Sequence, residues 1–102
     1  MYKVVFITAS EQDAPKIAQA LVERKLAACV NLVPVRSIYK WKGKIEDDKE
    51  NLLVIKTKKS KIDPLKKILK ELHSYEVPEL IVLPIEDGLP DYLNWIDKEI
   101  SE

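Results

Sequence analysis

The sequence predicts an α+β fold of the split βαβ type on an antiparallel sheet, and three features carry the prediction. Segments of strand character alternate with amphipathic helical segments in the order β, α, β, β, α, β, followed by a last α. The two middle strand segments are long and are joined by Lys42 and Gly43, which makes them a hairpin. With 102 residues the chain has material for one core and none to spare for a linker, so residues 1–102 read as a single domain.

Tyr2 to Ala9 is rich in β-branched and aromatic residues and forms the first strand. It gives way at Ser10 to a helix start, with Pro15 in the first turns, where a missing N–H costs little. Ala14, Ile17, Ala18, Leu21 and Val22 recur at helical spacing, with Lys16, Gln19, Glu23 and Arg24 opposite, so this helix is amphipathic and ends near Leu26. Ala28 to Lys40 reads as a long strand interrupted at Pro34, a residue that belongs at an edge or bulge. Lys44 to Lys58 returns as the third strand, charged at Glu46, Asp47, Asp48 and Glu50 and strongly apolar from Leu52 to Ile55. Asp63 and Pro64 open a second helix with Ile62, Leu65, Ile68, Leu69 and Leu72 on its apolar face and His73 at its end. Leu80 to Ile85 is the fourth strand. Beyond the break at Gly88 to Pro90, the residues Tyr92, Leu93, Trp95, Ile96 and Ile100 outline a short C-terminal helix.

In this order the two main helices cover one face of the sheet. Yet Val4 to Ile7, Leu52 to Ile55 and Leu80 to Leu83 are apolar at successive positions, and successive strand residues point to opposite faces. The second face therefore also needs a cover. Other copies of the chain are the expected one, and the alternative is the C-terminal helix folded across part of the face; periodicity does not separate them.

Composition removes several classes of function. Hydrophobic residues at 46% suffice for a core and are too many for a disordered tail. Lys plus Arg and Asp plus Glu both number 17, so no net field draws the chain to nucleic acid or an anionic membrane. The Lys-rich stretch from Lys56 to Lys67 lacks interleaved aromatics and reads as a solvated face. Only Gly43 and Gly88 are glycines, so no glycine-rich phosphate cradle exists. The apolar run Val4 to Ile7 is too short for a signal-peptide core or a membrane span. One cysteine, Cys29, excludes an internal disulfide and fits a reducing, cytoplasmic setting.

Catalytic supply is thin as well. Cys29 and His73 are the sole thiol and imidazole, and Cys29 lies within an apolar strand, where an inert packed thiol is the commoner case. The chain is read as a non-enzyme. For metal, His73 is followed by Glu76 and Glu79, with Asp87 beyond the fourth strand, and imidazole and carboxylate together suit copper, zinc or nickel. Against this, a lone His at a helix end commonly serves as a cap. Trp41 at the hairpin tip has little to bury it in a monomer, which points to a subunit contact.

Leu26-Ala27-Ala28-Cys29-Val30-Asn31-Leu32-Val33-Pro34, Ser37-Ile38-Tyr39-Lys40-Trp41-Lys42-Gly43-Lys44-Ile45, Leu53-Val54-Ile55-Lys56-Thr57, His73-Ser74-Tyr75-Glu76-Val77-Pro78-Glu79-Leu80-Ile81 and Asp91-Tyr92-Leu93-Asn94-Trp95 follow one another along the chain. This pattern, spread over nearly the whole length, resembles the divalent-cation-tolerance (CutA) family. The resemblance implies a ferredoxin-like subunit, a homotrimer held by edge pairing of the long hairpins, a link to tolerance of copper and other divalent cations, and architectural kinship with trimeric PII signalling proteins. It places His73 and Tyr75 near a cleft between subunits. Ile7 and Leu72 stand where copper-binding relatives can carry a Cys and a second His, and Ser74 stands where the family usually has Pro. A copper site is accordingly expected to be poor, with no metal tightly held.

Two functions follow as expectations. One is a trimeric cation-tolerance or metal-response protein that binds copper or another divalent cation weakly, with His73 as ligand and Glu76, Glu79 or Asp87 as helpers. The other is a PII-like signalling or scaffold trimer whose cleft, lined by Tyr75, Trp41 and Lys56, takes a small molecule or a partner protein. Cys29 is expected to pack within its strand or at the interface.

Overall fold

The structure, a computed structural model, describes residues 1–101. The elements are β1 (Tyr2–Ala9), α1 (Asp13–Glu23), β2 (Cys29–Trp41), β3 (Lys44–Lys58), a single 3-10 turn (Lys59–Lys61), α2 (Ile62–Leu72), β4 (Ile81–Pro84) and α3 (Pro90–Ile100). The four strands form one antiparallel sheet in the order β2-β3-β1-β4. This is the predicted α+β fold, with α1 and α2 on one face.

Strand parity decides the core. Val5 faces Ile55 and Val82 across the ladder, and Ile7 faces Leu53, so these side chains share one face of the sheet. Ala14, Ile17 and Leu21 of α1 and Leu65 and Leu69 of α2 close over them, all essentially excluded from water. Thr57 is buried on the same face and donates its hydroxyl to the carbonyl of Leu26 at 2.7 Å.

Three boundaries differ from the sequence reading. α1 stops at Glu23, not near Leu26, because Lys25 turns left-handed with φ 57°. The Leu26 N–H then bonds the Leu21 carbonyl and the Lys25 N–H bonds that of Val22, a Schellman closure that tucks Leu26 into the core. The expected interruption at Pro34 is absent. β2 runs unbroken because it is the edge strand, where a proline disturbs at most one side of the ladder. β4 is shorter than expected and pairs only with Lys3 to Phe6 of β1.

The β2–β3 hairpin carries its register to Trp41 opposite Lys44. Lys42 (φ 51°) and Gly43 (φ 81°) make a two-residue turn with both φ values positive, the geometry whose twist matches that of the strands. The hairpin reaches beyond the helices and gives the molecule a long axis of 45 Å. Arg36 donates to both carboxylate oxygens of Asp47, at 2.8 and 2.6 Å, across it.

The second face is covered in part by α3. Ile96 and Ile100 pack with Ala28, Tyr2 and Leu93. The helix is pinned by Asp97, which accepts from Lys58 Nζ at 2.5 Å and from the Tyr2 hydroxyl at 3.0 Å. Val33, Trp41, Ile81 and Leu83, on the same face by register, keep 37% to 47% of their surface exposed.

Asp97 makes the docking of α3 sensitive to acid. The Lys58 hydrogen bond first, and the Tyr2 hydroxyl second, hold its carboxyl below the ordinary range. A depressed folded value contributes stability that is present above about pH 4 and lost as pH falls through the folded value. Asp97→Asn is expected to be less stable than the parent near neutrality, with the gap closing in strong acid. Thermal melts of both proteins between about pH 7 and pH 2 check this, and a gap that stays constant across that range would refute it.

Candidate functional site

The loop that leaves α2 is tied down at three points. His73, with 9% of its surface exposed, donates from Nε2 to the carbonyl of Thr8 at 2.7 Å and accepts at Nδ1 from the Tyr75 N–H at 3.1 Å. A carbonyl can only accept and a backbone N–H can only donate, so the partners themselves assign the tautomer. Ser74 donates its hydroxyl to Asp13 at 2.6 Å. The Tyr75 ring leans on the His73 ring, centroids 4.5 Å apart, and its hydroxyl donates to Glu50 Oε2 at 2.6 Å.

This loop forms one wall of a cleft of about 820 Å³. β3 supplies Asp48 and Glu50, β2 supplies Tyr39 and Trp41, and β1 supplies Thr8; Glu76 and Glu79 close the loop side. Strand period two puts Asp48 and Glu50 on one face with Leu52, and Tyr39 and Trp41, opposite Glu46 and Lys44, share that face nearer the hairpin tip. Glu50 keeps only 4% of its surface exposed. The Tyr39 hydroxyl donates to Asp48 at 2.5 Å. At the rim, Lys42 Nζ lies 5.6 Å from the centroid of the Trp41 ring and 3.7 Å from Glu76.

Both phenols are held in their protonated form. Burial, reinforced by the bond to Glu50, raises the Tyr75 hydroxyl well above its usual value. The bond to Asp48, with burial and the surrounding carboxylates, pushes Tyr39 up to about 12. At neutral pH the cleft therefore presents two phenol donors spent on two carboxylates.

The residues singled out as metal ligands are not gathered at one point. His73 has both ring nitrogens engaged within the chain, and it borders a smaller hollow of about 460 Å³ with Lys66, Lys70, Glu76 and Pro78. Glu79 faces the main cleft, and the Asp87 carboxylate accepts from the Gly88 N–H at 2.8 Å in an exposed turn. Among the described residues no three His, Cys, Asp or Glu side chains converge as a metal cluster would. A nitrogen–sulfur site for copper is thus not assembled within one chain. Of the residues expected at a cleft between subunits, Tyr75 and Trp41 also line this cleft of the single chain, and Lys56 lies outside it. Lys56 pairs across the ladder with Cys29 at the α3 end of the sheet, its Nζ bonded to Asn31 and to the Val54 carbonyl. Cys29 is half-buried. Sequence reasoning passed over Glu50 and Asp48 as ordinary strand charges, although Glu50, Leu52 and Val54 at spacing two already placed a carboxylate on an apolar stripe.

No helix among the described residues is long and apolar enough to cross a membrane. Over residues 3–99 the chain matches the family described as CutA1 divalent ion tolerance protein. It is 54% identical over 90 residues to the protein CutA homolog of Xenopus laevis, a match that covers 87% of this chain and 60% of that one. Against mouse protein CutA it spans 52% of the relative's length. The periplasmic divalent cation tolerance protein CutA of Archaeoglobus fulgidus superposes with a TM-score of 0.95 at 41% identity, covering 99% of this chain and 100% of the other. The PII-like protein CutA of a Nostoc species, in apo form, gives 0.91 at 36% identity and 97% of each chain. By sequence over nearly its whole length and by fold, the chain belongs to the CutA1 divalent ion tolerance protein family.

Proposed function

We propose that the protein serves divalent-cation tolerance as a cytoplasmic, non-catalytic homotrimer whose acidic cleft receives a cationic ligand, and that it holds bare divalent metal, copper included, only weakly. The observation that carries this reading is Glu50, a carboxylate almost wholly removed from water that faces the cleft and takes part in none of the ion pairs among the described residues. A charge so placed draws a counter-charge. The absence of a converging donor set argues for weak metal binding. His73 is the sole imidazole, and its two nitrogens are spent on backbone groups, so no free imidazole is left to act as a general base. Assembly is supported by the partly exposed Val33, Ile81 and Leu83 on the face that α3 leaves open. The cytoplasmic assignment is supported by the lone thiol of Cys29.

Light scattering and calorimetry test the reading together. A mass of three chains is expected, along with a shallow Cu(II) isotherm that Zn(II) mimics. A one-chain mass would overturn the trimer, and a steep stoichiometric Cu(II) isotherm would overturn weak binding. A second reading, a PII-like receptor or scaffold for a small molecule or partner protein, is favoured by the volume of the cleft, which lies in the range of small-molecule sites.

A further inference from the structure

We propose that the ligand of the cleft is an organic cation, an alkylammonium or guanidinium group, seated on Glu50 and Asp48 with its carbon chain along Tyr39 and Trp41. The inference rests on the reading of the cleft as a ligand site and names the chemistry of what enters it.

Glu50 is 4% exposed, and Tyr75 satisfies only its Oε2. Among the described residues its other oxygen has no hydrogen-bond partner and no fully buried side-chain oxygen lacks one, so that oxygen is in reach of solvent, and Glu50 lines the cleft. Asp48, partly buried, likewise has Tyr39 on one oxygen and no ion pair among the described residues. Two carboxylates, each half-satisfied by a phenol, face a common space without a cation between them.

Two kinds of cation could fill it, and the surroundings choose between them. A hard divalent ion needs several oxygens at short range from a converging set, which the described residues do not provide. The phenols do not add ligands, since both are held protonated and already donate. An organic cation needs carboxylates at one end and apolar or aromatic surface along its stem, and it gains from the face of an indole ring. The cleft already holds one such group of its own: the Lys42 ammonium lies against Trp41 and near Glu76. The rim thus shows on a small scale the recognition that the interior is built to repeat.

The test is a calorimetric titration of the full chain with agmatine and with 1,4-diaminobutane, run beside the uncharged isostere 1,4-butanediol. Saturable binding of the amines and none of the diol is expected. Glu50→Gln keeps an acceptor for Tyr75 and is expected to weaken amine binding by about tenfold. Asp48→Asn provides a second, more exposed variant with an effect in the same direction, and Trp41→Ala is expected to weaken binding by about threefold. Equal binding of amine and diol would overturn the cationic class while leaving a ligand cleft in place. Binding of neither, with no other small molecule of any charge displacing cleft water, would overturn the ligand cleft itself. Dissociation of the assembly by Glu50→Gln would assign the counter-charge to a second copy of the chain and overturn the proposal.

Discussion

His73→Ala is expected to lower the free energy of unfolding by about 3 kcal/mol, with no metal in the buffer. The side chain is nearly buried and joins two backbone groups, the carbonyl of Thr8, 65 residues away in sequence, and, through its other nitrogen, the Tyr75 N–H. Alanine leaves both without a partner, at roughly 1 to 3 kcal/mol each, with the larger figure where water cannot enter. It also removes the ring against which Tyr75 packs, and so loosens the hydroxyl that bonds Glu50. Urea denaturation at one fixed chain concentration measures the loss, because the stability of an assembling protein depends on that concentration. A midpoint unchanged without metal and lowered only with it would show instead that His73 is kept for a ligand. The same reasoning affects any metal titration of His73→Ala, which would record a disordered loop as well as a missing nitrogen.

Ile55→Ala is expected to cost more, about 4 kcal/mol. Ile55 is completely buried on β3, an interior strand, with Val5 opposite it on one side and Val30 on the other. Its neighbours are fixed by two ladders and by the helices above, so they collapse little into the space left, and the cavity adds to the lost transfer energy. Ile45→Ala, on the same strand but 69% exposed, is the matched control and is expected to change stability by no more than about 0.5 kcal/mol. Equal losses from the two would mean that assembly buries Ile45 as fully as folding buries Ile55.

Local signals were enough for most of the fold. The order of elements, the hairpin through Lys42 and Gly43 and the apolar faces of α1 and α2 follow from short-range periodicity, and short-range periodicity survives folding. The end of α1 was misread because Lys25 adopts a left-handed conformation that glycine or asparagine usually signals. Which element covers the second face was undecidable from pattern alone, since α3 reaches Tyr2 and Lys58 only through tertiary contacts. The site was less legible. The bond from His73, at the end of α2, to Thr8 on β1 was not foreseeable, because backbone carbonyls leave no trace in a sequence. Trp41 and Tyr75 were placed on aromatic character and on resemblance, and both line the cleft. Lys56, expected at a cleft between subunits, lies six residues from Glu50 along β3 and outside the cleft of the single chain.

Pro34 has a consequence beyond its own strand. A long, straight outer strand invites growth by strand addition, each new chain reading the free amides and carbonyls of the last, and such growth ends in fibres. β2 is 13 residues long and meets this hazard on its unpaired side. Near its midpoint Pro34 has no amide hydrogen to give, so an incoming backbone cannot zip past that point without a defect. The edge is divided into two short templates. Either half can accept a partner in a defined register, but a continuous intermolecular ladder along the whole strand is blocked.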